Sequence, residues 1–178
     1  MLFRSRHFID SYSTPDTPPT TVLRTTAGDQ VAVLETADIS RLLATGWRPP
    51  RRITVKARDG VTDLYGLLYL PSQFRDTLRY PLVDVVYPGP QAGSVGTRTF
   101  VAGRGDRQAL AELGFVVVEV DGMGTPYRSR TFQDRGYGDL SDNGIADQVA
   151  AVRELARRDR KSHTSELQSL AYLVCRLL

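Results

Sequence analysis

The sequence predicts an α/β fold entered through a short β-rich segment, and three observations carry that prediction. Beyond Pro50, β-branched runs alternate with runs of helical period, the pattern of sheet strands joined by helices. Residues 115–120, Phe-Val-Val-Val-Glu-Val, are the most apolar run of the chain and have the composition of a strand buried on both faces of a parallel sheet. Before Pro50 the runs are short, β-branched and broken by Pro and Gly, and two or three such strands cannot bury a sheet face by themselves.

Phe8-Ile9 opens the first strand, ahead of a Pro-rich turn at residues 13–19. Strands at 20–26 and 31–35 follow, joined by Ala27-Gly28-Asp29-Gln30, a good hairpin connection. Thr36 is placed to cap a short helix that carries Ile39, Leu42 and Leu43 and ends at Gly46. Residues 53–57 and 64–70 are strand runs around the Asp-Gly hairpin signal of Arg58-Asp59-Gly60, and Pro71 ends the second. A third strand is expected at 82–87 and a loop at 91–105. Asp106 then caps a helix with Ala109, Leu110 and Leu113, closed by Gly114. After the strand at 115–120, a loop rich in Gly, Tyr and Arg runs to Asn143, and Asp142 is expected to cap the last helix. That helix sets Ile145, Val149, Val152 and Leu155 on one face and Asp147, Arg153, Glu154 and Arg157 on the other.

Both ends differ in texture from the middle. His163-Thr164-Ser165-Glu166-Leu167-Gln168-Ser169 is the translation of CAC ACG TCT GAA CTC CAG TCA, which resembles a short-read sequencing adapter, and residues 173–178 fit its continuation. Residues 1–5 fit the opposite strand of the same adapter. Residues 1–5 and 160–178 are therefore expected to be adapter-derived and are set apart from the fold. A natural amphipathic helix through Leu167, Leu170 and Val174 is the alternative.

The whole chain has 23 Lys and Arg against 20 Asp and Glu, a formal charge of +3. Setting aside Arg4, Arg160, Lys161, Arg176 and Glu166 leaves 19 of each sign in residues 6–159. The apparent basicity disappears, and with it the case for nucleic acid or an anionic membrane as partner. Cys175 lies in the excluded tail, so residues 6–159 contain no Cys and no disulfide or Cys-based zinc site is expected; His7 is their only His. No apolar run approaches the length of a membrane span.

The chemistry is expected in residues 82–91, Leu-Val-Asp-Val-Val-Tyr-Pro-Gly-Pro-Gln. Here Tyr87 stands at the mouth of a strand before a loop stiffened by two prolines, the end of an open α/β sheet at which ligands bind. A phenol so placed can donate to an oxygen that becomes anionic during acyl transfer. A half-buried packing role is the other reading of a strand-end Tyr. Ser94 does not sit on a nucleophile elbow, because Ala92 stands where Gly-x-Ser-x-Gly needs its first Gly. Gly122-Met123-Gly124 starts like a dinucleotide fingerprint, but Tyr127 replaces the third Gly and Pro126 occupies the turn. Tyr127, Arg128 and Arg130 read as an exposed loop, and Arg104-Gly105-Asp106 as a loop whose Asp opens a helix. Glu119 and Asp84 read as carboxylates solvated or paired near sheet edges; no second carboxylate at a fixed spacing marks an acid/base pair.

Tyr80-Pro81, Tyr87 and Gly89-Pro90-Gln91 together resemble the Tyr-x-Gly-Pro segment after the third hydrolase strand in the prolyl oligopeptidase family, particularly its dipeptidyl peptidase IV branch. Residues 121–125, Asp-Gly-Met-Gly-Thr, are similar to that family's Asp-Gly-x-Gly-Ser/Thr loop, with Met123 where many members carry Arg. Asp147-Gln148 is similar to a structural pair on the family's next helix. Residues 12–15 (Tyr-Ser-Thr-Pro), Leu34-Glu35 and residues 46–50 (Gly-Trp-Arg-Pro-Pro) resemble its last propeller blade and crossover.

The resemblance covers nearly all of residues 6–159. It implies that residues 6–50 end a β-propeller and that residues 51–159 are the N-terminal half of an α/β-hydrolase domain, with strands 1–4 and the first helices. It implies a serine peptidase of dipeptidyl or prolyl type, cleaving short peptides after Pro or a small residue through an acyl-enzyme, with Tyr87 stabilising the oxyanion and no metal or cofactor. The family's Ser, Asp and His come later in that order. None is expected in this chain, which is expected to be inactive alone. A homodimeric parent, and a periplasmic or secreted one, are compatible with the resemblance. An α/β-hydrolase esterase and a non-catalytic interaction protein of the same architecture are the alternatives.

Overall fold

The computed structural model describes residues 5–87, 89–138 and 144–161. The chain forms two units, one comprising residues up to Pro49 together with Thr97–Ala102, the other Pro50–Gly96 together with the chain from Gly103 onward.

The first unit is an antiparallel meander, β1 (His7–Thr14), β2 (Thr17–Thr25) and β3 (Gln30–Thr36), in the order β1-β2-β3. The expected hairpin between β2 and β3 is present, with Gly28 at a φ of +101° that suits a residue without a Cβ. The Pro-rich stretch is not a turn throughout. Pro15 and Asp16 make the turn, while Pro18 and Pro19 lie in β2. There the β1 register shifts between Tyr12 and Thr14, which spares the prolines a ladder N–H they lack. Val22 is enclosed, but Phe8, Ile9, Val31, Val33 and Leu34 are exposed, because three strands have too little to cover them.

Thr36 ends β3 rather than capping α1 (Ser40–Ala44); the local polar contact is instead the Asp38 carboxylate, which accepts the Ser40 N–H at 2.8 Å. Gly46 follows the helix at a φ of +89°. Trp47 donates its indole N–H to the Ala102 carbonyl at 3.1 Å and meets Phe100 edge-on, and Phe100 N–H donates to Ser13 Oγ at 3.0 Å.

The second unit is built on a four-stranded sheet of β4 (Arg51–Lys56), β5 (Asp63–Tyr69), β6 (Leu82–Asp84) and β7 (Val116–Asp121), in the order β4-β5-β7-β6. β4–β5 and β5–β7 are antiparallel and only β6–β7 is parallel, so the parallel sheet expected around residues 115–120 is a mixed one. The β4–β5 hairpin turns where Asp-Gly predicted it. Asp59 accepts the Thr62 hydroxyl and the Thr62 and Val61 amides, and these bonds hold its pKa down to about 2.

β7 is buried on both faces, as its composition predicts. Val116, Val118 and Val120 pack with Leu64, Leu68 and, from α4 (Ile145–Lys161), Ala151, Val152 and Leu155. Val117 packs on the other side with Leu67, Tyr69, Val95 and Ala111 of α2 (Arg107–Glu112). Each fully buried Val or Leu contributes roughly 1.5–3 kcal/mol relative to exposure. β5 and β7 approach so closely at Gly66 that a Cβ there would lie 2.4 Å from the Glu119 carbonyl oxygen.

Glu119 is not at a sheet edge. It is fully buried, accepting the Tyr69 hydroxyl at 2.7 Å on one oxygen and Arg107 Nε–H at 2.9 Å on the other. Burial and the neighbouring carboxylate push the Tyr69 phenol up. On α2 the Asp106 side chain makes no cap bond, and Leu113, expected on the buried face, is exposed. Gln108 is buried instead, its amide donating to Glu112 and to the Leu70 carbonyl.

The loop after β7 contains α3 (Arg130–Gln133), capped by Ser129 Oγ on the Phe132 N–H, and a 3₁₀ turn at Asp134–Gly136. The expected cap at Asp142 lies outside the described residues. On α4, Val152 and Leu155 face the core as expected, but Ile145 is exposed and Asp147 is fully buried, the reverse of the faces assigned from helical period.

Candidate functional site

The sheet positions the site. β6 and β7 run parallel and both end at the same side, at Asp84 and Asp121, and the segments that follow them wall one cavity of about 500 Å³. Gly89 and Pro90 come from beyond β6, Gly122 to Thr125 from beyond β7, and Gln148 from the first turn of α4. Carboxyl ends of adjacent parallel strands are where α/β sheets hold ligands, because the chain diverges there toward opposite faces.

The approach to this cavity is fixed by polar side chains. β6 is shorter than the expected 82–87, although Val85 N–H still donates to the Val118 carbonyl at 2.8 Å. Tyr87 has left the ladder; its N–H donates to Ser94 Oγ at 3.0 Å. The residue is 56% exposed and does not itself line the cavity, although Gly89 and Pro90, just beyond it, do. Gln133 of α3 donates its side-chain amide to the Pro90 carbonyl at 3.0 Å, which ties the segment after β6 to that after β7.

The segment after β7 is held from below. Fully buried Asp147 accepts Met123 N–H at 2.8 Å on one oxygen and Arg58 N–H and Nε–H at 3.1 and 2.9 Å on the other. Thr125 folds back on the Gly122 carbonyl through its hydroxyl at 2.9 Å, and Gly124 N–H reaches the Phe132 carbonyl. The Met123 side chain packs against the apolar cluster under α4. Gln148 donates to the Val120 carbonyl at 2.9 Å, in keeping with a structural Asp147-Gln148 pair.

The other residues singled out in the sequence fall elsewhere. Arg128 lies over the rings of Phe132 and Tyr65, 4.1 and 4.9 Å from their centroids, so its cation is engaged within the fold. Tyr127 is exposed at a φ of +71°, and Arg130 makes an exposed pair with Asp134. Asp84, on β6, has one buried oxygen without a hydrogen-bond partner among the described residues, and burial raises its pKa to about 6. No group of three or more His, Cys, Asp or Glu suited to a metal occurs among the described residues, and none of their helices is long and apolar enough to cross a membrane.

This site coincides with the sequence that resembles a known family, and comparison with known proteins agrees. The prolyl oligopeptidase family model matches residues 103–166, covering α2, β7, the segment after it and α4. Human dipeptidyl peptidase 8 is 33% identical over 112 residues, 63% of this chain and 12% of its own length. Over these residues the chain is similar to members of the prolyl oligopeptidase family. The similar proteins are of the dipeptidyl peptidase type. A crystal structure of Porphyromonas gingivalis dipeptidyl peptidase 4 matches 85% of this chain and 22% of its own with a TM-score of 0.69 at 25% identity. A dipeptidyl aminopeptidase IV candidate from Bacteroides ovatus gives a TM-score of 0.70 at 30% identity over the same shares. The chain thus spans between 12% and 22% of the length of these relatives.

Sequence reasoning singled out Tyr87 and the Asp-Gly-Met-Gly-Thr loop but missed the side chains that hold their main chain. Ser94 was weighed only as a nucleophile and Gln133 not at all. Asp147 was put on the solvent face by a periodicity that ignores a buried partner. Asp147 is enclosed because Arg58 reaches it from the β4–β5 turn, while Ile145 is exposed.

Proposed function

We propose that this chain carries the oxyanion side of a serine peptidase of dipeptidyl or prolyl type. In this reading residues 51–159 are the N-terminal half of an α/β-hydrolase domain. Residues 6–50 end a β-propeller, to which the three-stranded meander with its uncovered apolar residues is suited. The observation that carries the proposal is the position of Tyr87 past the carboxyl end of β6, its main chain anchored and its phenol exposed beside a cavity. A hydroxyl held there donates to the carbonyl oxygen of a bound peptide as that oxygen gains charge, and donation that strengthens in the transition state lowers the barrier. The attacking Ser, with its His and Asp, belongs to polypeptide outside this chain, and the substrate is a peptide.

The test is kinetic, in the longer protein that carries this segment, on chromogenic Xaa-Pro and Xaa-Ala substrates. Tyr87→Phe is expected to lower kcat by about 10²–10³-fold with KM within about twofold, the signature of an interaction made in the transition state. An unchanged kcat rejects the role of Tyr87. Absence of both peptide turnover and covalent labelling by a peptidyl phosphonate rejects the peptidase reading.

A further inference from the structure

We propose that Ser94 is a positioning residue, whose hydroxyl oxygen sets the Tyr87 main chain and through it the direction of the phenol. This rests on the oxyanion role proposed for Tyr87. With 56% of its surface open, Tyr87 is not located by side-chain packing, so its backbone must locate it. The last ladder bond of β6 is made by Val85, and two residues later the Tyr87 N–H needs an acceptor that the sheet no longer offers. Ser94 Oγ supplies it at 3.0 Å from a side chain that is 6% exposed.

Ser94 can do this because the backbone on each side of it is fixed. Val95 N–H donates to Asp121 Oδ1 at 2.9 Å, and the Val95 carbonyl accepts Arg104 Nη1–H at 2.9 Å. The Val95 side chain is buried with Val117 and Ala111. On the other side, Gly93 lies so close to Asp121 that a Cβ would stand 2.3 Å from its Oδ1. The end of β7 therefore grips residues 93–95, and Ser94 transmits that grip to Tyr87. No nucleophile-elbow geometry is involved; the hydroxyl is used as an acceptor.

The test combines amide exchange in the full chain with kinetics in the longer peptidase. Ser94→Ala is expected to speed exchange of the Tyr87 amide by about tenfold or more, the loss of roughly one hydrogen bond. The amides of β7 stay protected, which verifies the fold. Ser94→Thr, which keeps the oxygen, is expected to restore protection. In kinetics, Ser94→Ala lowers kcat by about tenfold with KM nearly unchanged, and costs less than about twofold in a Tyr87→Phe background, because the group it aims is gone.

Unchanged Tyr87 exchange in Ser94→Ala overturns the proposal whatever the kinetics show. A full additive loss on top of Tyr87→Phe also overturns it, and so does complete loss of phosphonate labelling, which would make Ser94 the nucleophile. If Tyr87→Phe alone leaves kcat intact while Ser94→Ala still frees the amide, the oxyanion reading is what has failed, and a positioning role for Ser94 falls with it.

Discussion

Asp147→Asn is the perturbation that tests most directly how the segment walling the cavity is held. Asp147 is fully buried; one oxygen accepts Arg58 N–H and Nε–H, and the other accepts Met123 N–H at 2.8 Å and Arg58 Nη2–H at 3.4 Å. Asparagine keeps one oxygen and replaces the other with an NH₂ that faces a donor whichever way the amide turns. Breaking a buried ion pair from one side costs about 3–5 kcal/mol, because the partner charge is left in a poor environment. The Arg58 side chain retains 20% exposure and can recover some hydration, which puts the expectation near the lower end, about 3 kcal/mol. Arg58→Met should cost less, and the double variant should show a coupling of about 2 kcal/mol.

Urea unfolding followed by far-UV circular dichroism measures these differences. Hydrogen exchange adds a local signature, since Met123 N–H should lose protection while Val118 keeps it. A loss below about 1 kcal/mol, or a coupling below about 0.5 kcal/mol, would refute the claim that this pair anchors the loop after β7.

Asp84 makes stability depend on pH in the direction opposite to a paired carboxylate. Its folded pKa of about 6 lies above the unfolded value near 3.8, so the native state holds the proton more tightly. The Asp84 contribution is greatest below about pH 4, falls between about pH 4 and 6, and is flat above; the loss is about 2–3 kcal/mol, and Asp84→Asn removes this part of the slope and raises the pH 7.5 urea midpoint. Equal midpoints at pH 4.5 and 7.5 after allowing for the Asp84→Asn baseline would contradict the burial assigned to this group. Gly66→Ala drives a Cβ to 2.4 Å from the Glu119 carbonyl oxygen, a backbone atom that cannot swing aside, and is expected to cost about 3 kcal/mol or more. Gly60→Ala, with open space around it, meets no such contact and loses only for its positive φ, so thermal unfolding of the two variants separates close approach from backbone preference.

The residues that punctuate this chain settled much of its local structure. Asp59-Gly60, Gly28, Gly46 and Gly114 act through φ and short-range hydrogen bonds, which depend on near neighbours in sequence, and their turns and helix ends were legible without a fold. The run Val-Val-Val-Glu-Val announced a strand with two covered faces for a similar reason, since only a central strand can afford that composition. What period and propensity could not settle were the cases in which a distant partner outweighs local preference. Glu119 was read as an edge carboxylate and is enclosed, because Tyr69 and Arg107 converge on it from β5 and α2. Pro18 and Pro19 were read as turn and lie in a strand, because a register shift removes the need for their N–H.

The division at the site has the same cause. Sequence alone determined that a tyrosine stands past the end of a β-branched run, and that a glycine-rich loop follows the next such run. Those are statements about neighbours along the chain. Only the tertiary structure decided that β6 and β7 lie side by side and parallel, so that the two turns share a cavity, and that Ser94, Gln133 and Asp147 reach them across 7, 43 and 24 residues. Hydrogen bonds over such separations are set by the packing of the sheet against α2 and α4, and no periodicity in the chain encodes them.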